Sequence, residues 1–145
     1  MLTKSFFSLS IILFFAFSVS AQTAYTPEKG SAERAAILNA LRAPVERELK
    51  QKIQFAVTNF RVQGNWAFLD GEPQNASGGK PNYKNTEYGE AINAGMFDNN
   101  FFALLKKTGG KWRVVKYQIG CTDVCYLEWR TQYKAPKAIF PFVPE

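Results

Sequence analysis

Histidine is missing from all 145 residues, and cysteine occurs only twice, at Cys121 and Cys125. Without histidine, Ser-His-Asp and Cys-His catalysis, the usual zinc hydrolase sites and the common general base near neutral pH are excluded. Two cysteines alone do not complete a tetrahedral zinc set, and a copper site of the Cys-x-x-x-Cys type needs a distal histidine that this chain lacks. Dense positive charge is scarce as well. The formal net charge is +6, yet the densest basic pair is Lys106-Lys107, too thin a stripe for a nucleic-acid surface. No nucleic-acid partner and no cofactor are therefore expected.

The only long apolar run stands at the N-terminus. Lys4 supplies a positive start, residues 6–19 an apolar stretch, and Val19-Ser20-Ala21 a small-residue cleavage site before Gln22, which together read as a secretory signal peptide over residues 1–21. The run is short for a membrane span and no cysteine stands at the cleavage point, so neither a membrane anchor nor a lipoprotein is expected. Residues 22–145 then suit one domain with one core. The expected setting is secreted or periplasmic.

Residues 22–30 are polar, with Pro27 and Gly30, and read as a flexible lead-in to a domain over 31–145. From Ser31, a natural N-cap, Ile37, Leu41, Val45 and Leu49 recur every four residues and predict a helix, kinked or divided at Pro44. The period then changes to two. Ile53, Phe55 and Val57, followed after Gly64 by Trp66 and Phe68, predict two strands joined at Gln63-Gly64. Residues 71–86 read as a long surface loop, followed by a short helix capped by Thr86 and ended by Gly95. Two further strands flank Thr108-Gly109-Gly110. A last short helix is capped by Thr122 or Asp123, and a proline-rich tail carrying Ile139, Phe140 and Phe142 packs as a strap. The class is α+β: an N-terminal helix on a curved, mainly antiparallel sheet, with a short helix near the C-terminus.

Leu41-Arg42-Ala43-Pro44, the hairpin Val62-Gln63-Gly64 with Trp66-Ala67-Phe68, and Trp112-Arg113-Val114-Val115 leading into Thr122-Asp123-Val124 resemble a family of small secreted bacterial proteins of uncharacterised function. The resemblance covers roughly residues 31–136. It implies a bacterial envelope or secreted setting and a cystatin-like or NTF2-like cone. It brings no activity with it.

Several residues are candidates for function. In an oxidising compartment Cys121 and Cys125 are expected to pair, because an i, i+4 spacing brings the Cα atoms within bridging range. A redox or metal role is the rival reading. An enzyme without histidine needs a carboxylate of raised pKa with a tyrosine in a pocket. NTF2-like folds host such sites, and the candidates are Asp70, Asp98 and Glu128 with Tyr117 and Tyr126; Asp70 and Asp98 also stand where turns commonly use aspartate. The segment from Phe60 to Gly64 comes close to the hairpin by which cystatins enter a protease cleft, but Phe60 stands where that motif has glutamine. Trp66, Phe68, Trp112 and Tyr126 are candidate ligand-binding aromatics, with core packing as the bland use. The favoured expectation is a non-enzymatic binding or accessory domain whose partner is a protein, glycan or small apolar ligand of the envelope. The alternative is an NTF2-like enzyme, and behind it a cystatin-like inhibitor.

Overall fold

The computed structural model describes residues 22–143, and the signal-peptide expectation lies outside them. Helix α1 spans Ala32–Leu49. It begins where expected, because the Ser31 side chain accepts from the Arg34 amide at 3.2 Å, satisfying one of the orphan donors of the first turn. It ends at Lys50, which adopts the left-handed conformation. Of the two expected forms, a kinked helix or a break into two, the break is not found: one helix runs through Pro44. The apolar stripe explains why: Ile37, Leu41, Val45 and Leu49 are all buried along one face, and that packing continues on both sides of the proline.

Strands β1 (Ile53–Gln63), β2 (Trp66–Asn75), β3 (Phe101–Thr108) and β4 (Lys111–Ile119) form one antiparallel sheet in the order β1-β2-β3-β4. Both tight turns fall where glycine was read, and Gly64, Gly109 and Gly110 have positive φ. β2 runs further than expected, through Pro73 to Asn75, and shortens the surface loop. Pro73 is paired with Phe55 and fully buried, so burial outweighed the turn-forming composition of this stretch.

Bulges interrupt β1 between Val57 and Asn59, and β4 opposite Leu104 and Leu105. Each inserts a residue and so reverses which later positions face α1. Phe60 and Val62 therefore rejoin Ile53 in the core against α1, as do Trp112 and Ile119 of β4.

The sheet buries both faces. One carries α1. The other carries Phe68 and Leu104 under Tyr126, Trp129, Ile139 and Phe140 of the C-terminal segment. That segment contains helix α3 (Trp129–Tyr133) and a single 3-10 turn at Lys137–Ile139; a short helix α2 (Gly89–Asn93) precedes β3. The last helix is shorter than expected: residues 122–123 form a bend and 125–128 a turn before it begins at Trp129. The tail does pack as a strap, although Phe142 is exposed. Among the described residues no helix is long and apolar enough to cross a membrane.

Candidate functional site

An open groove of about 840 Å³ lies between α1 and β4. Its helix wall is Ala40, Ala43, Pro44, Arg47 and Glu48, its other wall is the continuous run Trp112–Ile119, and Glu87 and Tyr88 also line it. Residues of both parities line it, so the groove presents the edge of β4 itself as well as one of its faces. Pro44 has no amide to offer the Ala40 carbonyl, which leaves a backbone acceptor on the helix wall.

The polar centre of the groove is Glu48. One carboxylate oxygen accepts from the Tyr88 hydroxyl and the other from the Tyr117 hydroxyl. This ties α1, the segment before α2, and β4 together through one side chain. Burial pushes both phenols well above their ordinary pKa, and the hydrogen bonds to Glu48 and its charge add to the effect. Both tyrosines are donors here, not bases. The arrangement offers a fixed carboxylate with both oxygens engaged, small side chains on one wall, and Arg47, Arg113 and Lys116 at the rim.

Of the residues read from the sequence, Tyr117 belongs to this groove and Trp112 lines it. Glu48 and Tyr88 were not anticipated. A signal for Glu48 exists: Ala40, Pro44 and Glu48 form a second i, i+4 row beside the apolar stripe, and Pro44 and Glu48 interrupt it with features no core needs. Tyr88 sits in the irregular stretch before α2, where no periodicity assigns a face.

Asp70 and Asp98 meet elsewhere, along a groove of about 490 Å³ also lined by Glu72, Lys80 and Asn99. Asp70 is 6% exposed and is the one buried charged residue among those described. Its carboxylate accepts from the Asn59 backbone amide at 3.1 Å and from the Asn59 side chain at 3.0 and 2.9 Å. Burial raises its pKa and the Asn59 bonds pull it back. Asp70 thereby closes the β1 bulge. The neighbouring Gly71 is demanded by the same irregularity, since a Cβ there would lie 2.0 Å from the Ala56 carbonyl oxygen. Asp98 and Glu128 are exposed, and Glu128 lies at the start of α3. Asp70 is near enough to Tyr126 for its charge to add to the burial that raises that phenol's pKa, whereas Tyr117 lies in the α1/β4 groove, so the candidates do not all form one cluster.

Trp66, Phe68 and Tyr126 share the strap side of the sheet. Phe68 packs edge-on against Tyr126 at 4.9 Å and lies 5.0 Å from Phe140. Lys106 covers the half-buried Trp66 at 4.7 Å. Trp112 faces α1 on the other side, so the structure does not bring it together with them.

Cys121 and Cys125 form a disulfide with Cα atoms 6.3 Å apart. Asn100 pins the corner by accepting from the Cys121 amide at 3.0 Å and donating to the Cys121 carbonyl at 2.7 Å. No group of three or more potential metal ligands occurs among the described residues. No protein-family model, curated protein or solved structure matches the chain.

Proposed function

We propose that this chain is a non-enzymatic binding or accessory domain that works outside the cytoplasm, secreted or in the bacterial envelope, and takes its ligand in the α1/β4 groove. The observation that carries the reading is the groove's construction: a continuous strand edge on one wall, small residues and a proline on the other, and a polar centre whose hydrogen bonds are already satisfied internally. Such a site is shaped for binding, because Glu48 has no oxygen left without a donor and neither tyrosine is poised to accept a proton. The compartment part rests on residues 1–21 and is supported by the Cys121–Cys125 disulfide, since such bonds persist in oxidising surroundings. The succession of one helix and a four-strand meander supports the cystatin-like or NTF2-like fold that the sequence resemblance implies.

Amide NMR tests the reading. Extended peptides, oligosaccharides and small apolar compounds are titrated separately into the folded chain. At least one class is expected to give saturable shifts centred on Ala43, Tyr88 and Tyr117. Shifts that gather on the strap side instead, or none from any class, sink it. A second reading, an enzyme using a buried carboxylate with a tyrosine, is favoured by Asp70 and its neighbour Tyr126. Both oxygens of Asp70 are held by Asn59, which makes the structural role the better account.

A further inference from the structure

The two edges of the sheet are treated differently. The chain covers the hairpin end of the β1 edge itself with a single bridge: the Tyr25 amide donates to the Val62 carbonyl at 2.9 Å and the Val62 amide donates back to the Tyr25 carbonyl at 2.7 Å. β4 is the terminal strand on the other side and has no such cover among the described residues. We propose that the α1/β4 groove binds an extended peptide as a fifth strand on β4, and that the peptide alternates apolar with acidic residues. The proposal rests on the binding reading above and names its ligand class.

The backbone directions follow from the register. The Gly120 amide donates to the Asn100 carbonyl at 3.1 Å, so Gly120 faces β3. Alternation along an antiparallel strand then turns the backbone groups of Ile119 and Tyr117 outward. At the other end, the two-residue turn at Gly109-Gly110 sets Lys111 opposite Thr108 and Arg113 opposite Lys106, which turns Trp112 and Val114 outward. The bulge between the two halves keeps all four of these side chains on the α1 side. The outward donors and acceptors of β4 therefore lie along the groove, where a peptide backbone can pair with them.

The side-chain pattern follows from the same geometry. Residues of an added strand that face α1 meet Ala43 and Pro44, which favours apolar side chains of moderate size. Those on the other face lie beside Arg113 and Lys116, both exposed. β4 contains no acidic residue, and opposite charges across paired strands attract. A second copy of the chain is the poorer occupant, because antiparallel pairing of two β4 edges sets Arg113 and Lys116 against their own kind. The same cations that guard the edge against self-pairing select an acidic strand.

The test uses the folded chain and synthetic peptides matching β4 in length, one alternating Val with Glu and one alternating Val with Lys. The Glu peptide is expected to bind, shifting the amides of residues 112–119, and the Lys peptide to bind about tenfold more weakly or less. The double variant Arg113→Glu, Lys116→Glu is expected to reverse that preference. N-methylating the peptide amides that point toward β4 is expected to abolish binding, and methylating the alternate set to leave it intact. Equal tolerance of both methylated sets overturns strand addition while leaving the groove a binding site. The same holds if the groove takes only a glycan or a small apolar compound. Self-association through β4 that the Glu peptide does not displace overturns it in favour of a second copy. Failure of every ligand class to shift the groove removes the binding reading itself.

Discussion

Asp70 shows at the residue scale how a side chain that looks chemical in sequence can be consumed by architecture. At the bulge between Val57 and Asn59, the Asp70 carboxylate accepts from the Asn59 amide and so gives that backbone donor a partner where the ladder is irregular. Burial raises the Asp70 pKa from its ordinary value of 3.8, and the sign of the consequence is fixed. A group with a raised folded-state pKa contributes stability that is fully present below its unfolded value and is lost as pH rises through the folded one. The stability of the wild type relative to Asp70→Asn should therefore fall as pH rises from about 4 toward neutrality. Urea unfolding of both proteins across that range measures it, and a difference that stays flat would show that Asp70 does not titrate there. In the sequence Asp70 is visible as a carboxylate beside a glycine at a strand end. Its partner Asn59 is not, because the contact exists only through strand register.

At the element scale, Glu48 holds α1, the α2 approach and β4 together through two tyrosine hydroxyls. Hydrogen bonds to a charged acceptor contribute about 1.5–3 kcal/mol each when well shielded, and this cluster is only partly buried. The double variant Tyr88→Phe, Tyr117→Phe is expected to lose about 1–3 kcal/mol by chemical denaturation at neutral pH. In alkaline titration both phenols should stay protonated past the ordinary value of 10.0, because their raised pKa values keep the folded state neutral there. Tyrosinate absorbance reads this directly, and ionisation of all tyrosines near pH 10 would contradict the cluster. The corner closed by Cys121 and Cys125 is a second link, between β4 and the strap. The loop is so short that opening it with Cys121→Ala, Cys125→Ala should cost less than the ~3 kcal/mol of a 15-residue loop. Faster hydrogen exchange should be confined to residues 120–133, next to Asn100. Exchange spreading through β3 and β4 would give the bond a larger role. The elements themselves were largely legible, because four-residue and two-residue periods are local signals. The extension of β2 through Pro73 was not, since a buried proline in a strand is decided by what covers it.

For the whole molecule, the decisive feature is a sheet buried on both faces, by α1 on one side and by the C-terminal strap on the other. The strap is part of the core: Ile139 is fully buried although it sits in a single turn of 3-10 helix near the chain end. Ile139→Ala is expected to cost about 2–5 kcal/mol in denaturant unfolding, the range of a core truncation. A cost below about 0.5 kcal/mol, the range of a surface change, would mean that the strap is loosely held.

The sequence by itself determined the helix, its cap and buried stripe, the two glycine hairpins, the α+β class and the cysteine pair, because each is written in spacing over a few residues. Tertiary structure decided which residues share a site. It separated Trp112 from Trp66 and Phe68, drew Asp70 into a bulge, brought Glu48 to Tyr88 and Tyr117 across 40 and 69 residues of chain, and left β4 as an open edge. Those outcomes depend on strand register and on which sheet face each cover lies against. One bulged residue reverses the face of every side chain that follows it, and no local pattern marks where that residue falls.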